Sequence, residues 1–148
     1  MFIASTPSQE DYLEIIWQLT QEKGYARAAD IAQRLGISPA SVSRMVQKLH
    51  ASGQVTYERY RGLSLTPQGS RRGRRLFERH QVLATFLEVI GFEDGVGIRT
   101  TVEGIEHFFG PEELCRVQRF LDFMDAEHTV YQAWTAWQAA HPLGEGCR

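Results

Sequence analysis

The sequence predicts a mainly α protein: an amino-terminal winged helix-turn-helix domain, joined by one long helix to a second, all-helical domain. Three observations carry that prediction. Apolar residues recur at a helical period through almost the whole chain. One short stretch, Gln54 to Thr66, alternates instead. The balance of charge changes sign near residue 80, inside a segment whose apolar period is unbroken.

The periodicity places helices at about Ser8 to Lys23, Ala28 to Leu35, Pro39 to Ser52, Pro67 to Ile90, Thr101 to Phe109, Pro111 to Glu127 and Thr129 to Ala140. In the first, Leu13 and Ile16 mark the packed side. The second and third are separated by Gly36-Ile37-Ser38, the three-residue turn of a helix-turn-helix. Ser38 can cap the third helix, and Pro39 then stands where a missing N–H costs nothing. Val55, Tyr57, Leu63 and Leu65 alternate around Arg61-Gly62, the pattern of a two-stranded wing. The charge change falls within the fourth helix, so that helix (about 67–90) links two domains, 1–70 and 71–142, and 143–148 is a tail. Thr100 with Glu103 fits a capping box at the start of the fifth helix. Internal repeats and low-complexity segments are absent.

Composition narrows the function. With 43% apolar and 23% charged residues among 148, the chain is ordinary globular material. Its longest mostly apolar stretch, Val82 to Phe92, is cut by Glu88 and falls far short of the roughly 20 residues of a membrane-spanning helix. Met1 to Gln9 lacks the basic-then-apolar pattern of an export signal, so a cytoplasmic protein with no membrane partner is expected. Cys115 and Cys147 form neither a disulfide framework nor a cysteine-rich zinc site. A Gly-rich phosphate loop, a nucleophile elbow and a Ser or Cys nucleophile with a base are all missing, so the chain is not expected to be an enzyme.

The net charge of −2 conceals a polarised chain. Residues 1–80 carry 12 Lys and Arg against 7 Asp and Glu, and residues 81–148 carry 4 against 11. Within 23–79 the balance is 12 against 3, the electrostatic footprint of a surface that neutralises phosphates. On the third helix Val42, Met45, Val46 and Leu49 share the inner face, which turns Ala40, Ser41, Arg44, Gln47 and Lys48 outward. With Ser38, Pro39 and Ser43 they form the surface expected to meet duplex DNA. Arg44 and Gln47 suit base edges, and Lys48 suits a phosphate. Arg59 and Arg61, beside Tyr60 at the wing tip, reach the backbone or the minor groove. Arg71, Arg72, Arg74 and Arg75 extend the basic surface, and His50 reads as an ordinary surface residue.

A second constellation is acidic. Asp11 and Glu14 stand three apart on the first helix, facing away from Leu13 and Ile16, in a first turn whose macrodipole also favours acids. His80 lies in the stripe of Leu76, Leu83, Leu87 and Ile90 on the long helix. Glu103, Glu106 and His107 converge on one side of the fifth helix. Four carboxylates and two imidazoles without a thiolate suit one or two divalent ions of the manganese kind better than structural zinc. A single Glu-x-x-Glu-His motif, with no second copy, speaks against a diiron oxidase.

These residues resemble the diphtheria toxin repressor family of metal-activated transcription factors, and within it the manganese transport regulator branch. The resemblance runs from about Thr6 to Glu127. It rests on Glu10-Asp11-Tyr12-Leu13-Glu14, Glu22 to Arg27, Met45 to Leu49, Tyr60-Arg61-Gly62-Leu63 and, most specifically, Val102-Glu103-Gly104-Ile105-Glu106-His107. It implies a binuclear Mn²⁺ site, two ions per subunit, with Asp11, Glu14, His80, Glu103, Glu106 and His107 as ligands and Glu14 and Glu106 as bridges. The iron-responsive branch typically carries Met in place of Asp11 and Cys in place of Glu103, so oxygen at both positions favours manganese over Fe²⁺ and other divalent ions. It further implies a homodimer on a palindromic double-stranded DNA operator, with half-sites about 34 Å apart. The segment 129–148, with Trp134 and Trp137, matches the family least.

The expected function is therefore manganese-responsive repression of metal-uptake genes. Two alternatives stand beside it: a metal-independent winged-helix regulator that takes an organic effector, and a binuclear metallohydrolase, for which a spare general base is lacking.

Overall fold

A computed structural model describes residues 8–58 and 62–144. Among these the chain forms seven α-helices and one antiparallel two-stranded sheet, in the order α1 (Gln9–Lys23), α2 (Ala28–Leu35), α3 (Pro39–Ala51), β1 (Val55–Glu58), β2 (Gly62–Leu65), α4 (Pro67–Val89), α5 (Gly95–Ile105), α6 (Pro111–Ala126) and α7 (His128–Ala140). A 3-10 turn, Glu106–Phe108, follows α5. The chain divides into two compact units, Met1–Glu78 and Arg79–Arg148, and α4 runs through the division. None of the described helices is long and apolar enough to cross a membrane.

In the first unit α1, α2, α3 and the sheet enclose one interior of Tyr12, Ile16, Leu19, Ile31, Val42, Leu49, Val55 and Leu63. Gly36 takes a left-handed conformation (φ 64°) that ends α2 and opens the turn, a geometry without penalty only for glycine. The Ser38 side chain accepts the Ser41 N–H at 3.3 Å, with Pro39 at the first helical position of α3, as expected. β1 and β2 pair in the register Val55 to Leu65 and Tyr57 to Leu63. That register places all four on one face; Val55 and Leu63 are buried there, whereas Tyr57 is exposed. The first turns of α4 lie against α1: a Cβ at Gly73 would stand 2.7 Å from that of Trp17. One turn further on, Phe77 meets the Trp17 ring at 5.0 Å between centroids.

The second unit is built on Leu83 and Leu87 of α4 against Ile98 and Val102 of α5. Here one expectation is corrected. The fifth helix starts at Gly95, six residues before the expected Thr101, with Asp94 accepting the N–H groups of Val96 (3.1 Å) and Gly97 (3.0 Å). Two glycines in the first turn obscure the helix in sequence; the Asp94 cap and the burial of Ile98 carry it. Thr100 is consequently interior to α5, its hydroxyl donating to the Val96 carbonyl at 3.0 Å, so the Thr100–Glu103 capping box does not form. α7 holds the end of α4: the Trp134 indole N–H donates to the Val89 carbonyl at 2.6 Å and the Gln138 amide to that of Ile90 at 2.7 Å. Those carbonyls belong to a helix end, where the backbone supplies no partner.

Candidate metal centre and nucleic-acid face

The expected ligands are set by α1 in the first unit and by α4, α5 and the 3-10 turn in the second. Within the second unit, His80 and Glu106 are brought together, Nδ1 to Oε2 at 3.0 Å, with the carboxylate side chain 2% and the imidazole 17% exposed. Glu106 follows buried Ile98 and Val102 at intervals of four, its N–H still bonded to the Val102 carbonyl, so helical spacing turns it inward; His107 in the 3-10 turn is exposed, as Glu103 is on α5. Glu106 and His107 bring ligand atoms within 4.8 Å of one another, while the Glu103 side chain is exposed on α5. With its capping role gone, Glu103 has no structural duty at the start of α5.

A carboxylate buried to this degree is costly unless a positive or proton-donating partner meets it. At 3.0 Å the His80 Nδ1 and the Glu106 Oε2 share one proton between them. Two lone pairs thus converge on a gap occupied by one proton, and a divalent ion binds such ligands by displacing it. The donor types, oxygen and imidazole nitrogen, suit a manganese-like ion; the one described cysteine, Cys115, is exposed on α6.

In the first unit Asp11 is the third residue of α1 and completes a capping box. Its Oδ2 accepts the Ser8 N–H at 2.5 Å, and its own N–H donates to the Ser8 hydroxyl at 3.3 Å. Glu14 corrects a second expectation. It does not look outward from α1 but is buried, 7% exposed, and its Oε1 accepts from the Gln18 amide at 3.0 Å. Opposite faces of α1 are both covered, so the apolar stripe alone did not identify the buried side. Gln18, one turn after Glu14, is a partner that sequence reasoning missed, although its i+4 spacing signals it.

On α3, Pro39, Ala40, Ser43, Arg44, Gln47 and Lys48 are exposed with Ser38, while Ser41 is half-buried. The Ser43 hydroxyl donates to the Pro39 carbonyl at 3.1 Å. Burial pushes the Tyr12 phenol above its ordinary pKa, and the Arg44 guanidinium draws it the other way. Arg59 and Arg61 fall outside the described residues. Part of the basic surplus is engaged within the unit: Arg34 pairs with Glu22 at 2.6 Å, and Arg74 with Glu78 at 2.7 Å. Arg72 donates to the Gln54 side chain at 3.2 Å. His50 is more than the surface residue expected, since its Nδ1 stands 3.0 Å from the Val55 carbonyl and ties α3 to β1.

A winged helix-turn-helix unit, followed through one continuous helix by an all-helical unit with a buried imidazole–carboxylate pair, defines a DNA-binding regulator rather than an enzyme. Comparison with known proteins fixes the family. Residues 5–63 match the model of the iron dependent repressor N-terminal DNA binding domain, and residues 66–133 that of the iron dependent repressor metal binding and dimerisation domain. The chain belongs to the iron dependent repressor family, as the motif Val102 to His107 indicated. It is 44% identical over 137 residues to the HTH-type transcriptional regulator MntR of Listeria welshimeri, covering 93% of this chain and 96% of that protein. It is 47% identical over 124 residues to the regulator of the same name from Shouchella clausii, covering 84% and 86%. Among solved structures, the manganese regulator SloR superposes with a TM-score of 0.72 at 28% identity, over 80% of this chain and 55% of that one. A manganese-dependent transcriptional repressor in complex with manganese gives 0.68 at 27%, over 78% and 53%. The chain therefore spans about half the length of these solved structures.

Proposed function

We propose that this protein is a manganese-responsive transcriptional repressor of metal-uptake genes, acting in the cytoplasm as a homodimer on a palindromic operator. Residues 1–70 are its DNA-binding domain and 71–142 its metal-binding and dimerisation domain. Asp11, Glu14, His80, Glu103, Glu106 and His107 are its ligands, for two Mn²⁺ per subunit, with Fe²⁺ the competing ion. Ser38, Pro39, Ala40, Ser41, Ser43, Arg44, Gln47, Lys48, Arg59 and Arg61 meet the duplex. The observation that carries the reading is the buried Glu106 held by His80 in a chain whose 44% identical relative is a regulator of this family.

A bound divalent ion supplies the positive charge that lets carboxylates share one site. Without it, Asp11, Glu14, Glu103 and Glu106 repel one another. Asp11 and Glu14 sit on α1, whose Leu13 and Ile16 are buried, so a ligand at either acts on a rigid element of the DNA-binding unit. His80 and Glu106 do the same for the second unit. A swing of the DNA-competent population from 1:99 to 99:1 requires roughly 10⁴-fold preference of the ion for that state, about 5.5 kcal/mol. Anisotropy of a labelled duplex, selected from a random pool by the protein with MnCl2, tests this. Affinity should fall on chelation, and equal affinity with and without chelator refutes the metal switch. Calorimetry gives the number of ions per chain.

A further inference from the structure

Glu14, Gln18 and Glu22 stand four apart along one side of α1, and a single side chain of α2 reaches two of them. The Gln18 amide donates to Glu14 Oε1 at 3.0 Å. Its own oxygen accepts from the Arg34 guanidinium at 3.4 Å. Arg34 is held in turn by Glu22, at 2.6 Å. We propose that Gln18 is a positioning residue for the metal site: it fixes the Glu14 carboxylate for Mn²⁺, and Arg34, from the first helix of the helix-turn-helix, fixes which way the Gln18 amide faces. The inference rests on the reading of Glu14 as a ligand.

The two ends of a glutamine amide are nearly equal in size and opposite in hydrogen-bonding sense. A guanidinium has donors only, so Arg34 claims the amide oxygen and turns the NH2 group toward Glu14. That orientation is the one a carboxylate requires, because an amide oxygen in the same place would repel it. Glu14 is 7% exposed, and a carboxylate so deeply buried needs a donor that stays in place. A ligand already ordered by such a donor loses less freedom when the ion arrives. Partners of this kind, one hydrogen bond removed from a metal, commonly set its affinity through the ligand they orient. Arg34 and Glu22 are themselves exposed, and an exposed ion pair adds little stability. What the pair does provide is direction. It closes the series Glu14, Gln18, Arg34, Glu22 across α1 and α2, so that Glu14 is oriented by the DNA-binding unit's own packing.

Gln18→Met tests this, since it keeps the length of the side chain and removes the donor. The full chain without DNA competes for Mn²⁺ against a fluorescent chelator, at a temperature well below the melting point of each variant. Gln18→Met should bind Mn²⁺ about 10- to 100-fold more weakly than the wild type. Arg34→Met should lose about threefold, at the low end of couplings between hydrogen-bonded neighbours. In the Gln18→Met background the same Arg34→Met change should cost nothing further, because Arg34 acts only through the amide. Should Gln18→Met fold poorly, Gln18→Leu carries the same measurement. A Gln18 that only supports the fold would lower the melting temperature and leave the Mn²⁺ affinity of the folded chain unchanged. That result overturns the proposal and leaves the regulator reading standing. An Arg34→Met loss of equal size in both backgrounds overturns the route through the amide. Failure of the wild type to bind Mn²⁺ overturns the proposal and the regulator reading together.

Discussion

The two units differ in how fully they cover their own apolar side chains. In the first, Ile16, Ile31, Val42 and Leu49 come from three helices and are wholly buried, and Val55 and Leu63 of the wing close the interior. In the second, Leu83 and Val102 are buried as deeply, yet Phe108 is 84% and Trp137 54% exposed, with Phe92 and Phe123 also at the surface. An open apolar surface of that kind marks a contact region, and the match of residues 66–133 to a dimerisation domain indicates what covers it. The first unit buries its apolar side chains within itself, and the second leaves this surface open.

The largest test joins the two. Glu106→Gln keeps the volume of the side chain and an oxygen for His80, but removes the charge. Manganese should then lose most of its effect on duplex affinity, a gain whose upper bound is about 10⁴-fold, while the melting temperature without metal stays near that of the wild type. Anisotropy with MnCl2 and with chelator measures it. A retained manganese gain removes Glu106 from the ligand set.

Next come the two interiors. Leu49→Ala and Leu83→Ala should each cost about 2–5 kcal/mol, since each opens a cavity at a fully buried site. They should differ in their dependence on protein concentration. Stability linked to association falls on dilution, so the Leu83→Ala chain should lose more at low concentration, and the Leu49→Ala defect should be the same at all concentrations. Denaturant titrations over a hundredfold range of concentration decide it. A concentration-dependent Leu49→Ala defect breaks the contrast.

The same contrast governs what could be read in the sequence. In the first unit local signals and tertiary packing agree: Ala28–Leu35 ends where Gly36 says it should, α3 starts at Pro39, and Val55–Glu58 pairs with Gly62–Leu65. In the second they conflict. Gly95 and Gly97 hid the first turn of α5, and a plausible Thr100–Glu103 cap placed the helix start too late. The residues of the candidate site were legible and their burial was not. Whether Glu14 is buried depends on what covers α1 from both sides, and the burial of Glu106 follows from its step of four after Ile98 and Val102 on a helix whose start the glycines hid. His50 escaped for the same reason, because its partner is the backbone of a strand five residues on.

A smaller effect is expected where α7 holds α4. Trp134→Phe keeps the ring near Trp137, 5.8 Å between centroids, and removes the N–H that reaches the Val89 carbonyl. Losing the donor to a part-buried carbonyl should cost about 1–3 kcal/mol, expressed in the second unit alone. Thermal unfolding should show the loss while manganese-saturated duplex affinity, measured well below the melting temperature, stays within about twofold. An equal loss in Gln138→Ala, which frees the Ile90 carbonyl, would show that both side chains secure the same helix end.

The smallest effect separates the helix cap from the contact it supports. Ser38 accepts the Ser41 N–H at 3.3 Å and lies 3.0 Å from the Ser41 hydroxyl, at the mouth of the recognition helix. Ser38→Ala should cost about 1 kcal/mol of stability, and Ser38→Gly only a few tenths, because glycine leaves the first N–H groups open to water. If Ser38 acts only as a cap, duplex affinity should follow that order, with the glycine variant near the wild type. If its hydroxyl also meets a phosphate, both variants lose affinity alike and the salt dependence becomes shallower in both. Manganese binding, set by residues elsewhere in the chain, should be unchanged in either case. A shift in manganese affinity with Ser38→Ala would mean that the first turn of α3 is coupled to the proposed ligands on α1, and the first unit would then respond as one body rather than through α1 alone.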